Sequence, residues 1–227
     1  SGIVFLPLLW AMVGLLIPTT NDAGKSALRL WTLLGSLATF ALSLLVYQHY
    51  VPTGAEFQLT ESVEWLPALG ISYTLGVDGI SLWLILLTTF LMPIAILGSF
   101  EAIEDRTREY YFLLLALETG MLGAFVSLDI FLFYVFWEAM LIPMYFLIGI
   151  WGGKDRVYAA MKFFLFTLVG SLLMLVAIFY MAYQHKVQFG TYSTLALDLY
   201  KVQTAAGGFM ATQNLLFMAF ALAFAIK

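Results

Sequence analysis

Cysteine is absent from the 227 residues, which rules out disulfides, thiolate-held clusters and cysteine nucleophiles. Any electrons handled alongside this chain must travel in other proteins. Charge is also scarce: Asp, Glu, Lys and Arg together make up 11% of the chain, with a net charge of -4, and nucleic acid is not expected as a partner. There are two histidines, His49 and His185. Each lies near the outer end of a predicted helix without an adjacent acidic ligand, so no metal site is expected. No segment reads as a convincing strand, so no Gly-rich nucleotide loop can follow one.

Apolar sequence fills the space that charge leaves. Hydrophobic residues make up 63% of the chain and the mean hydropathy is +0.95, well above the roughly 45–50% apolar content of soluble domains. Several runs reach the about 18–25 residues needed to cross ~30 Å of hydrocarbon. None alternates in the roughly ten-residue segments of a transmembrane barrel. The expected fold class is therefore an all-α membrane protein, a polytopic helix bundle of about seven transmembrane helices. The predicted helices lie near 3–18, 28–49, 79–100, 110–128, 130–151, 157–184 and 210 to the end. The first run starts without a basic leader or a small-residue cleavage site and reads as a retained helix. The last stops on Lys227 in apolar context, so a helix continuing past that residue is expected.

Basic residues set the expected orientation. The loops after the first, third and fifth helices hold Lys25, Arg29, Arg106, Arg108, Lys154 and Arg156, whereas the alternate loops hold Lys186 and Lys201. That asymmetry places the N-terminus outside. The outer loop from Tyr50 to Val77 carries Glu56, Glu61 and Glu64 with Trp65 and Pro67, and reads as an interfacial segment lying on the bilayer. Asp78, just before the third helix, fits a helix cap. The cluster Glu101, Glu104, Asp105, Arg106, Arg108 and Glu109 reads as a solvated turn. Trp137, Tyr134, Tyr145 and the phenylalanines read as lipid-facing and interhelical packing.

Four ionisable groups fall inside predicted spans. Glu138 is the sole ionisable side chain between Asp129 and Lys154 apart from the tyrosines, and a carboxylate in hydrocarbon costs roughly 2.5–3.5 kcal/mol on insertion scales. It sits about eight residues, ~12 Å, from the outer surface. Glu118 sits at a similar depth from the inner surface, beside Gly120 and Gly123, which permit close helix approach. Lys162 is about five residues into the sixth helix, where interfacial anchor and functional group are equally open readings. Lys227 is ~25 Å from the outer surface on a straight count. Low dielectric disfavours the charged form of acid and amine alike, and an opposite charge nearby restores it. At ~4 Å and an effective dielectric of about 20 that attraction is roughly 4 kcal/mol, or about three pKa units. An acid and amine that approach and separate can therefore exchange a proton through transient water. Pro143, five residues after Glu138, can open its helix or simply kink it.

The run Phe136-Trp137-Glu138-Ala139-Met140-Leu141-Ile142-Pro143-Met144-Tyr145-Phe146-Leu147-Ile148, continuing to Trp151-Gly152-Gly153, resembles the antiporter-like subunits of respiratory complex I, and most of all subunit M (chain 4). Leu75-Gly76-Val77-Asp78-Gly79-Ile80-Ser81-Leu82 and Arg156-Val157-Tyr158-Ala159-Ala160-Met161-Lys162-Phe163-Phe164 match further stretches of that family. The resemblance implies the N-terminal half of a 14-helix antiporter-like fold with inverted repeats. Residues 1–109 would hold the first three helices with the outer loop, and 110–227 an incomplete first five-helix repeat. It implies a Glu138 and Lys227 pair for proton translocation, with Glu118 and Lys162 as auxiliary relays. It further implies proton pumping within a type I NADH:quinone oxidoreductase of the bacterial inner membrane, beside neighbouring antiporter-like subunits. NADH, FMN, iron–sulfur clusters and quinone would then sit in partner subunits, with no cofactor in this chain. A subunit of a sodium/proton antiporter or membrane-bound hydrogenase is the first alternative. A non-catalytic membrane scaffold is the second.

Overall fold

The computed structural model describes residues 1–202 and 209–227, the latter segment with its side chains from 212 onward. The order is α1 (Gly2–Gly14), α2 (Asp22–His49), β1 (Gln58–Leu66), β2 (Ile71–Val77), α3 (Gly79–Gly98), α4 (Thr107–Val126), α5 (Ile130–Ala139), α6 (Leu141–Trp151), α7 (Arg156–Phe189), α8 (Ala196–Leu199) and α9 (Phe209–Ile226). Five helices among the described residues are long and apolar enough to cross a membrane: α2, α3, α4, the α5–α6 pair taken together, and α7. Gly2–Gly14 and Thr212–Ile226 are apolar but shorter.

Local chemistry fixes the helix starts. Asn21 caps α2 by accepting from the Gly24 N–H at 2.8 Å, which starts that helix six residues earlier than hydropathy suggests. Asp78 caps α3 reciprocally: the Ser81 N–H donates to Asp78 Oδ1 at 2.7 Å, and the Asp78 N–H donates to Ser81 Oγ at 2.9 Å. The capping reading of Asp78 is thus what the structure shows. The predicted fifth helix is interrupted at the single residue Met140, whose backbone stays helical (φ -65, ψ -24), between α5 and α6. Pro143 has no N–H to return to the carbonyl of Ala139, one turn earlier.

The outer loop corrects the expectation of a chain without strands. β1 and β2 pair antiparallel, with Glu61 opposite Leu75, Val63 opposite Tyr73 and Leu66 opposite Ile71. The signal is period two: Ile71, Tyr73, Leu75 and Val77 alternate with smaller or polar residues after a turn marked by Pro67 and Gly70. The acidic face of β1 concealed it, because Glu61 and Glu64 lie on an exposed edge. β2 is the buried strand, with Ile71, Leu75 and Val77 in the core. The chain is therefore mostly rather than wholly helical. Gly70 adopts φ +65, and a Cβ there would stand 2.1 Å from the Tyr192 carbonyl oxygen, so glycine is required twice over.

Two apolar clusters organise the first four helices. At the end of the bundle that carries the hairpin, Val4 of α1, Leu82 and Ile85 of α3, and Leu122 and Val126 of α4 pack with Leu75 and Val77 of β2. At the opposite end, Ala11, Leu28, Met92, Ile96, Tyr111 and Leu115 pack together. α1 and α2 are cross-tied by Trp10 and Trp31. Their rings stack at 4.5 Å, and each indole N–H donates to the other residue's backbone carbonyl, at 2.8 and 3.1 Å. A third cluster joins Tyr134 of α5, Met174 and Ile178 of α7, and Ala223 of α9.

Candidate functional site

Glu138 is the penultimate residue of α5, two positions before Met140. It is half-buried, and its Oε1 is buried without a hydrogen-bond partner. Lys227 follows α9, which packs against α5 and α7: Phe224 stacks on Phe133 and meets Trp137 edge-on, and a Cβ on Gly170 would meet Ile226 Cδ1 at 2.8 Å. These contacts set Lys227 level with the end of α5. Its Nζ donates to the Trp137 carbonyl oxygen and lies 4.4 Å from the Trp137 ring centroid, a cation–π distance. Trp137 directly precedes Glu138, so the ammonium is seated next to the residue that carries the acid, although no ion pair within 4.0 Å joins them among the described residues.

That placement differs from the straight count of Lys227 depth. Ala223 packs with Tyr134, so α9 starts about ten residues, ~15 Å, before the level at which α5 starts. Counting both helices from one plane missed this offset. The structure thus brings Lys227 to the Glu138 end of α5, at the junction of α5 and α6. In a low-dielectric setting such an acid and amine can hold one another charged, or exchange a proton when their separation or hydration changes.

The other two predicted residues are placed elsewhere. Glu118 is fully buried on α4, and neither carboxyl oxygen has a hydrogen-bond partner. The α4 surface touching α5 is the glycine face, where a Cβ on Gly123 would stand 2.3 Å from Phe136 and one on Gly120 2.5 Å from Met140. At 100° per residue those glycines lie roughly 140–160° around α4 from Glu118, so its side chain points away from α5. Lys162 is exposed on α7 with its Nζ 5.9 Å from the Tyr158 ring, one turn back on the same helix. It joins neither acid. Among the described residues, no three His, Asp or Glu side chains gather to hold a metal ion.

Asp129 is the residue that sequence reading passed over. It is completely buried and accepts five hydrogen bonds: from the N–H groups of Phe131 and Leu132 at 2.9 and 3.2 Å, from the Ser72 N–H and Oγ at 2.9 and 3.1 Å, and from Thr194 Oγ1 at 2.7 Å. One carboxylate therefore caps α5 and clasps the hairpin to the segment before α8. Backbone bonds complete the clasp: Leu128 N–H to the Thr74 carbonyl, Ile130 N–H to that of Thr194 and Thr194 N–H to that of Gly70, at 2.9–3.1 Å. A buried acid directly before an apolar helix was the available signal.

A mostly helical bundle with five membrane-length apolar helices among the described residues defines a polytopic membrane protein. Residues 127–227 match the family described as NADH:quinone oxidoreductase/Mrp antiporter, TM. Residues 6–124 match NADH-ubiquinone oxidoreductase chain 4, amino terminus, and the chain belongs to that family of integral, multi-pass membrane proteins. It is 42% identical to NADH-quinone oxidoreductase subunit M of Rhodobacter capsulatus over 100% of this chain and 44% of the relative. It is 42% identical to NADH-ubiquinone oxidoreductase chain 4 of Marchantia polymorpha over 81% of this chain and 37% of the relative. A chain of respiratory complex I from Thermus thermophilus superposes with a TM-score of 0.80 at 29% identity, covering 99% of this chain and 43% of that one. The chain thus spans less than half the length of these relatives.

Proposed function

We propose that this chain is part of a proton-translocating membrane-arm subunit of an NADH:quinone oxidoreductase. Glu138 and Lys227 form its proton-transfer pair, and quinone reduction takes place in partner subunits. The observation that carries this reading is the seating of Lys227 on the Trp137 carbonyl, beside Glu138, at the junction of α5 and α6. The Ala139 carbonyl that Pro143 leaves free is tolerated in a membrane where it faces protein or water, and an intramembrane charge there is by default a functional group. A change in separation or hydration of the two groups would hand a proton along a polar path.

The same reading takes the chain as seven spans of a 14-helix fold with inverted repeats. Residues 1–109 form its lead-in helices and 110–227 the opening of its first repeat. It sits in a bacterial inner membrane, N-terminus outside, among neighbouring antiporter-like subunits. NADH, FMN and iron–sulfur clusters belong to partner subunits, since no cysteine here could hold a cluster. Lys162, exposed on α7, would serve as an auxiliary relay only through a neighbour.

The test is Glu138→Gln in the assembled complex carrying the full-length subunit, reading protons moved per NADH oxidised together with complex content on native gels. The expected result is intact assembly with a several-fold drop in pumping. Unchanged stoichiometry with intact assembly would overturn the reading and leave a scaffold.

A further inference from the structure

The amine at the junction of α5 and α6 is held by a neutral residue. Lys227 Nζ stands over the Trp137 ring, 4.4 Å from its centroid, and donates to the Trp137 carbonyl oxygen. No side-chain carboxylate lies within 4.0 Å of it among the described residues. Both contacts therefore come from one residue, and that residue carries no charge.

Packing accounts for how the indole is held but not for what sits on it. Phe133, one turn earlier on α5, lies 5.3 Å from the Trp137 ring, and Phe224 of α9 meets that ring edge-on at 5.0 Å. Two phenyl rings, one from each helix, thus fix the indole. Its own N–H is buried without a partner and adds no tether. An aliphatic side chain would fill the same space, yet it would offer a cation nothing. Tryptophan is the best π face for a cation, and the attraction grows as water is removed. The contact of Lys162 with Tyr158 is a useful contrast, since it is longer, at 5.9 Å, and both residues are exposed. A desolvated contact on tryptophan, together with one hydrogen bond from a charged donor, is comparable to the attraction of a carboxylate at contact in the same setting. Two resting places of similar depth are what a switch requires.

We propose that Trp137 is the positioning residue of the Glu138 and Lys227 pair: its ring and carbonyl form a neutral second seat that keeps the ammonium charged while it stands apart from the acid. The two seats belong to consecutive residues of α5. Rotation about the lysine stem carries the amine between them, so the pair opens without α5 and α9 separating. The use of this seat in pumping rests on the function proposed above, but the seat itself does not.

Fluorinated tryptophans placed at position 137 of the full-length subunit, in the assembled complex, keep the shape of the ring and its carbonyl while each fluorine withdraws electron density from its face. Amide hydrogen exchange of residues 222–227 should quicken along the series, by about 2- to 30-fold in all, which is the roughly 0.5–2 kcal/mol of a cation–π contact at about 1.36 kcal/mol per tenfold. In Lys227→Met the same series should change nothing. Protons moved per NADH oxidised should fall with each fluorine, fall furthest in Trp137→Leu and recover in Trp137→Phe, which keeps a π face. Exchange that ignores fluorine, or follows it equally in Lys227→Met, would overturn the seat. Exchange that follows fluorine while pumping does not, with Glu138→Gln impaired, would overturn the positioning role. Normal pumping by Glu138→Gln would instead remove the function proposed for the pair, and the exchange series would still decide the seat.

Discussion

Replacing Asp129 by alanine removes one acceptor from three segments at once, and the cost can be worked from its partners. The hydroxyls of Ser72 and Thr194 have other acceptors in reach, Thr74 Oγ1 at 2.8 Å and the Gly70 carbonyl at 3.1 Å, so they lose little. The Ser72 N–H has no such alternative, and a buried unpaired donor costs about 1–3 kcal/mol. Loss of the α5 cap adds about 0.5–2 kcal/mol. Asp129→Ala should therefore destabilise the clasp by about 1.5–5 kcal/mol. Asp129→Asn can keep an oxygen toward Phe131 and Leu132 but turns an amide NH2 toward the Ser72 N–H, so its loss should be roughly half as large. The assay is amide hydrogen exchange across 70–75, 127–132 and 191–196 in the assembled complex, with complex content as a control. Exchange in Asp129→Ala matching wild type, or Asn no better than Ala, would refute the reasoning.

Gly123→Ala should be more damaging than Gly120→Ala. The first Cβ meets the Phe136 ring, itself 8% exposed, whereas the second meets the flexible Met140 chain; overpacking of about 1–3 kcal/mol is expected at Gly123, seen as less assembled complex on native gels. Asp198 is held below the ordinary carboxylate value of 3.8 by the Lys201 ammonium at 2.9 Å, against a smaller opposing effect of burial and with help from Ser193. A depressed folded value means the contact is fully present above about pH 4 and lost as pH falls through the lower folded value. At a partly exposed site it is worth about 0.2–1 kcal/mol. The thermal-stability gap between wild type and Asp198→Asn should accordingly hold at neutral pH and close below about pH 4.

Helix existence was legible because each span must carry a long apolar run, and the lone acid of the α5–α6 span stood out for the same reason. Three features were not legible, each for a definite cause. The hairpin mixes an acidic exposed strand with an apolar buried one, and averaging over both hides the alternation of Ile71 to Val77. Asp129 looked like a boundary residue, since its partners at Ser72 and Thr194 lie 57 and 65 positions away. Counting along a helix gives depth but not direction. Glu118 and Glu138 therefore appeared as members of one relay although α4 stands between them. The phase was present all the same: Gly120 and Gly123, two and five residues past Glu118, mark the opposite face.

The paired indoles of Trp10 and Trp31 constrain how the bundle can move. With each ring pinned to the other helix's main chain, sliding one helix past the other by even a single turn would break both bonds and the stack together. The first two helices should therefore travel as one rigid rod. Any piston-like motion passing through this end of the molecule would have to be taken up at their far neighbours, not along the seam between them.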